Sequence, residues 1–549
     1  MKKAKQKPGK EKAPAKISKA IKQPLNLDTP LAKLKAGLLG KREKIKLPKF
    51  ELKEPSKIIV LPDGKESVKY VLIEPFASAE IKKVGGNEMV YTISEPQLSK
   101  EEQKIYEQIV GGLMEILDVE LSSIKEHGEA LKYLMEKTED VAEELNIKLK
   151  DESYRKILYY IYRNLIGFNE IEAVLKDPYV EDISCDGTGI PIYVVHRRYG
   201  SLKSNIIFKD ENTLKDFVVK LAERAGRFIS YAEPLLDGTL PDGNRVQASF
   251  SKDVTSKGPT FTIRKFAEEP FSPVELIKNG TCSEDVFAYL WLAVESGASV
   301  LIAGGTATGK TSMLNALSMF IPSASKIVSI EDTRELNLPH ENWIPSVTRP
   351  AFSKGYGEIT LFDLLKSAFR QSPDYVIVGE VRGQEAYVMF QGMSAGMPSI
   401  GTFHAGKMED VLNRLQSPPI NLSPALIESL DLIVVMVHAR EKGENARRLK
   451  EIVEIESIDT KTGTARTNRV YNWEPADDTF GFAGTSWLVQ KISQLKGRAT
   501  EDLEADLKNR KNILEWMKKN NVVRFRDVSK VVSDYQKDPE DVLKRLKIK

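Results

Sequence analysis

Only two cysteines, Cys185 and Cys282, occur in 549 residues. Two thiols cannot build a disulfide framework or a four-thiolate zinc site, so a reducing, cytoplasmic setting is expected. The longest apolar stretches, such as the one ending at Val437, fall far short of the ~20 residues a membrane span needs. No apolar signal-peptide core is read after Met1. Aromatics are 8% of the chain and almost missing from its basic N-terminal stretch, which leaves little for base stacking and makes nucleic acid an unlikely partner. An N-K-x-D motif for reading guanine is also missing, so ATP is favoured over GTP at any nucleotide site. No internal repeat is visible.

Hydrophobic residues are 41% and charged residues 29% of the chain, enough for a sizeable core, and the length suggests about three domains. The net charge of +3 is unevenly spread. Residues 1–50 hold 16 Lys/Arg against three acids, a net of +13, so the remainder sums to −10. The Lys-rich, proline-dotted segment 1–55 therefore reads as a basic, disordered arm. It is either a solvated tail or a contact for anionic lipid or an acidic partner.

Short β-branched runs at 57–61, 68–73 and 89–93, separated by Pro62-Asp63-Gly64 and Gly85-Gly86-Asn87, predict a small antiparallel sheet. Ser99 with Glu102 predicts a capping box, and helical spacing continues through 130–145 and 154–165. Segment 56–175 is accordingly a small sheet plus helical subdomain. Segment 176–266 mixes strands (190–195, 204–208, 245–250, 260–266) with a helix at 213–225, an α+β unit. Pro270 and Pro273 mark 267–273 as a linker. From 274 to 485 apolar strands alternate with helices, the pattern of a doubly wound, mainly parallel α/β sheet, with a hairpin over 450–473. Helices complete 486–549, their apolar faces (Leu503, Leu507, Leu514, Met517) expected to be core.

One motif dominates: Gly304-Gly305-Thr306-Ala307-Thr308-Gly309-Lys310-Thr311, followed by Ser312. It has the spacing G-x-x-x-x-G-K-[ST] between an apolar run (298–303) and a helical one (311–320). Glycines let successive N–H groups converge on an anion, and the helix start adds its positive end. Lys310 is placed to reach the β/γ-phosphates and the Thr311 hydroxyl to ligand Mg²⁺.

Three more apolar runs end in polar groups. The run 375–378 leads to Gly379-Glu380-Val381-Arg382, 326–330 to Glu331-Asp332-Thr333-Arg334-Glu335, and 399–402 to Phe403-His404-Ala405. Ligands of open α/β sheets bind outside the carboxyl ends of strands, so these groups are expected to converge. Glu331 then suits polarising an attacking water, Glu380 handling Mg²⁺ or water, and His404 sensing the γ-phosphate. His127, His196, His340 and His438 show no ligand spacing and read as structural.

Together, 304–311, 329–336, 373–383 and 401–406 resemble the secretion-type ATPase superfamily of type II secretion, type IV pili and the archaellum. So do 177–183, 240–246 and 262–265. The resemblance implies a RecA-like ATPase domain over 274–485, with ATP and Mg²⁺ as cofactors. It also implies a homohexamer whose N-terminal domain closes over the nucleotide. By the same likeness Arg245 and Arg264 are nominated as arginine contacts to the phosphates, with Arg370 and Arg382 as weaker candidates. A polytopic membrane platform protein is the implied partner, from a position at the inner face of the cell membrane. The four-cysteine insert of many bacterial members is missing, which makes the chain similar to the archaeal branch. The competing readings are a RecA-like nucleic-acid translocase and a nucleotide-dependent scaffold with little turnover.

Overall fold

Val68, Tyr70 and Leu72 are buried while Ser67, Lys69 and Val71 face solvent, the period-two pattern of a half-buried strand. That strand, β1 (Ser67–Ile73), pairs antiparallel with β2 (Ala77–Lys83), and β2 with β3 (Met89–Ser94). The structure is a computed structural model that describes residues 48, 50–53, 67–85, 88–117, 127–266, 269–349, 357–441 and 444–548. The expected strand at 57–61, the turn Pro62-Asp63-Gly64 and nearly all of the basic arm lie outside those residues.

The chain divides into two compact units. The first takes Met1–Arg224, Phe228–Pro234 and Ala248–Thr262; the second takes Ala225–Arg227, Leu235–Gln247 and Ile263–Lys549. In the first, β3 pairs in parallel with β6 (Gly200–Ile207), so the expected small sheet continues into a larger one. Its order is β1-β2-β3-β6-β5-β4, with β4 (Val180–Cys185) and β5 (Pro191–His196). Asp177, fully buried before β4, accepts hydrogen bonds from Tyr70 Oη at 2.6 Å and Tyr91 Oη at 2.7 Å. The two bonds fix β1 and β3 against this loop. The capping box forms as expected: Ser99 N donates to Glu102 Oε2 and Glu102 N to Ser99 Oγ. The helices Lys100–Ile116, His127–Glu144, Asp151–Leu165 and Glu211–Arg224 fall within a few residues of their expected spans.

Strands β7 (Leu235–Thr239), β8 (Arg245–Ser249) and β9 (Thr260–Arg264) lie where the division falls, which runs through β8 and β9. Residues 176–266 thus contribute to both units. Segment 263–266 already belongs with the second unit: Phe266 N donates to Asn244 Oδ1, and Gly243 leaves no room for a Cβ beside the Phe266 ring without displacement. Pro273, expected to close the linker, instead opens the helix Pro273–Lys278 behind the N-cap Ser272.

The second unit is the doubly wound sheet. Parallel strands run in the order β12 (Trp343–Val347), β11 (Ile327–Glu331), β13 (Tyr375–Val381), β14 (Ser399–Phe403), β10 (Val300–Gly304) and β15 (Leu432–Glu441). Three antiparallel strands extend it: β16 (Glu444–Ile458), β17 (Ala465–Glu474) and β18 (Thr479–Phe482). Alternate residues of the central strands feed two separate cores. Val300, Ile302 and Val434 join one with Trp291, Phe320 and the C-terminal helices; Leu301, Ala303 and Val435 join the other with Phe390 and Leu412. Leu503, Leu514 and Met517 are buried there, as expected of core positions.

A buried ion set joins the C-terminal helices Thr500–Lys519 and Phe525–Lys537 to the helix Glu284–Glu295. The Arg510 guanidinium, stacked 4.8 Å over Trp291, donates to Glu295 at 2.7 Å and to Asp506 at 3.1 Å, and Tyr535 Oη donates to Asp506 at 2.7 Å.

Candidate active site

The run Val-Leu-Ile-Ala-Gly of β10 is buried throughout, and at Gly304 the chain leaves the sheet into the phosphate loop. A Cβ at Gly304 would come 2.5 Å from Thr308 Oγ1 and 2.8 Å from the Met436 carbonyl, so only glycine fits. Ala307 takes a left-handed φ of +57° and Gly309 one of +92° before the helix Lys310–Ser318 begins. The loop thus curls back on itself. Thr308 Oγ1 donates to Gly305 O at 3.0 Å, and the Lys310 ammonium donates to the same carbonyl at 2.7 Å. Burial lowers the Lys310 pKa, opposed by the nearby Glu380 and Glu335 carboxylates. Thr311 and Ser312, in the first turn, are half-buried.

Strands β11, β13, β14 and β10 are consecutive neighbours and parallel. Glu331, Glu380, His404 and the loop therefore leave the same edge of the sheet, the arrangement expected from the sequence. Glu331 is almost fully buried. Its Oε1 accepts from Glu335 N at 2.9 Å and Leu336 N at 3.0 Å, while its buried Oε2 has no hydrogen-bond partner among the described residues. Burial pushes its pKa up to about 7, although the two backbone donors favour the charged form. Gly379 on the neighbouring strand leaves the space it fills, since a Cβ there would come 3.0 Å from Glu331 Cγ.

Glu380 has the opposite environment. Partial burial works to raise its pKa, but the Arg382 guanidinium bonded to Oε2, together with His404 and Lys310, holds it below the usual carboxylate range. His404 Nε2 lies 3.3 Å from Glu380 Oε1. The His404 pKa is lowered by burial and by Lys310, with Glu380 opposing. Thr402 Oγ1 donates to the Gly379 carbonyl at 2.5 Å and Arg414 to the His404 carbonyl, which fixes the ends of β13 and β14. Two carboxylates on adjacent strand ends are thus kept in different states, one ready to take a proton and one held charged.

Arg264 lies 3.9 Å from Glu335 of the acidic segment, whereas Arg245 is engaged elsewhere by Asp237, at 3.1 Å. Arg382 reaches both Glu380 and, at 3.8 Å, Asp332. His196 and His340 are structural as expected: Nδ1 of the first accepts from Arg198 N, and Nε2 of the second meets the Ile321 carbonyl. His438 is not remote. Its Nε2 donates to the Thr306 carbonyl at 3.1 Å, and Arg447 Nε donates to the Ala307 carbonyl at 3.1 Å. No motif announces either residue; only the strand pairing of β15 and β16 brings them to the loop.

A family model described as type II/IV secretion system protein matches residues 168–520, including the whole of this site. The chain belongs to that family. With the phosphate loop intact, this family member is an ATP hydrolase. It is 37% identical over 525 residues to the Methanocaldococcus jannaschii protein MJ0900, covering 90% of this chain and 92% of that one. It is 32% identical over 269 residues to the Bordetella bronchiseptica type IV secretion system protein PtlH homolog, covering 42% of this chain and 79% of that one. Among solved structures, the VirB11 ATPase of the Brucella suis type IV secretion system in complex with sulphate is similar at 23% identity. That match spans 51% of this chain and 93% of the other, with a TM-score of 0.27. Among the described residues, no helix of this family member is long and apolar enough to cross a membrane.

Proposed function

We propose that this secretion-family ATPase is a motor that powers assembly of a type IV pilus-like or archaellum filament. It works as a homohexamer on a polytopic membrane platform protein, from the cytoplasmic face of the cell membrane. Family membership and the near full-length likeness to an archaeal relative support the reading. The observation that carries it is the shared edge of four adjacent parallel strands, which gathers Lys310, Glu331, Glu380 and His404.

The chemistry follows from the two acids. Glu331, with one buried oxygen unpartnered among the described residues and a pKa near neutrality, is suited to take a proton from the attacking water. Glu380 remains ionised and, with the Thr311 hydroxyl, is the donor for Mg²⁺, which when bound neutralises phosphate charge. Few protein ligands are needed, because Mg²⁺ keeps waters and phosphate oxygens in its shell. The amides of 304–312 and the Lys310 ammonium hold the β- and γ-phosphates. Arg264, 3.9 Å from Glu335 of the acidic segment, is the better of the two nominated arginines for sensing phosphate charge; Arg245 must first leave Asp237. Residues 1–50, with their net +13, are proposed to touch the anionic membrane surface.

Steady-state phosphate release tests the reading. Wild-type protein should hydrolyse Mg·ATP without DNA or RNA, and Glu380→Gln should bind nucleotide but scarcely turn it over. Turnover that depends on DNA and falls steeply with salt would favour a translocase instead. Absence of turnover with intact binding would favour a scaffold.

A further inference from the structure

A loop that turns its N–H groups toward an anion turns carbonyls the other way, and those carbonyls need partners outside the nest. Here three successive carbonyls are held. Gly305 O accepts from Lys310 and from Thr308 Oγ1, Thr306 O from His438 and Ala307 O from Arg447. The Lys310 bond is given up when Lys310 turns to a phosphate, which leaves Gly305 O to Thr308. The other two come from side chains outside the loop.

Strand register explains why these two residues arrive there. Gly304 of β10 lies beside Met436 of β15, so His438, two residues on, comes beside Thr306, two residues past Gly304. His438 in turn is the cross-strand partner of Arg447 on β16. The loop needs such a brace. Ala307 holds a left-handed φ that an alanine adopts only at a cost, and its carbonyl is the one Arg447 takes. Arg447 also covers Gly309, where a Cβ would come 3.3 Å from Arg447 Cδ.

We propose that His438 and Arg447 are positioning residues that hold the phosphate loop in its nucleotide-ready form before ATP arrives. The proposal rests on the reading that this loop binds ATP. Neither residue is assigned to touch the reacting atoms, so the brace acts on binding and leaves the chemical step alone.

Two measurements on the full chain test it. Hydrogen exchange of the loop amides in nucleotide-free protein should speed up in Arg447→Ala and His438→Ala. It should stay at the wild-type rate in Arg447→Lys and His438→Gln, which keep a donor. Mg·ATP titration should give Arg447→Ala a Kd about tenfold weaker, with kcat within about twofold of wild type. In an Ala307→Gly background, where the left-handed φ is free of steric cost, that penalty should shrink to about threefold or less. Unchanged loop exchange in the alanine variants, a loss of kcat at unchanged Kd, or the same penalty in both backgrounds would overturn the brace. A wild-type protein without ATP binding would count against the proposed function, while the exchange arm would still decide the brace.

Discussion

His404 Nε2 stands 3.3 Å from one oxygen of Glu380, while Arg382 bonds the other. Both oxygens of the acid at the end of β13 are therefore partnered within one chain, and Arg382 extends to Asp332 just past the end of the neighbouring strand β11. Arg382→Ala should let the Glu380 pKa rise, because the hydrogen bond and charge that offset its burial are lost. A depressed carboxylate pKa adds stability above its unfolded value and loses it as pH falls through the folded value. The variant should thus melt below wild type at pH 7, with the gap closing below about pH 4. Thermal melts at the two pH values check this.

Glu331 behaves in the reverse sense. As a base it must be ionised, so kcat/KM should rise with pH through about 7. Glu331→Gln should cut kcat by about 10²–10⁴. A raised carboxyl pKa gives stability that is full below the unfolded pKa and lost as pH rises through the folded one. Glu331→Gln, neutral at every pH, should therefore melt above wild type at pH 8, and this advantage should fade toward pH 5. A pH series of melts, run beside the pH–rate profile, reads both effects.

Lys310→Ala removes the only side-chain cation within the phosphate motif. Turnover should fall at least about a thousandfold, with the melting profile close to wild type because the ammonium bonds a single loop carbonyl. Wild-type phosphate release by this variant would move the site elsewhere.

Arg510→Ala leaves Glu295 and Asp506 without their shared guanidinium. Removing one partner of a buried ion set costs about 3 kcal/mol or more. The C-terminal helices should loosen first, visible as faster hydrogen exchange over 500–537 while exchange in the phosphate loop is unchanged.

The central strands were legible because each is a short apolar run ending in a polar group, as at Ile330-Glu331 and Phe403-His404. Their parallel direction, though not their order in the sheet, then follows from strands alternating with helices. Less could be read where pairing overrides propensity. β2 holds Ala-Ser-Ala-Glu-Ile-Lys-Lys, with Ile81 its one β-branched residue, and forms because β1 and β3 flank it. β7 carries Asp237 and Gly238, turn residues by composition. In the site, the glycines and Lys310 follow from their spacing, and the acids from their strand ends. His438 and Arg447 do not, since eight residues of chain lie between them and only the β15–β16 register makes them meet. The difference between Glu331 and Glu380 was also hidden, because burial and the Arg382 contact are set by tertiary structure.

The most direct measurement is a crystal structure with magnesium and a non-hydrolysable ATP analogue. The β- and γ-phosphates should lie on the amides of 304–312, with Lys310 turned from the Gly305 carbonyl to the phosphates and the Glu331 carboxyl facing the terminal one. A triphosphate bound away from this loop, or Glu331 and Glu380 both directed away from it, would contradict the assignment.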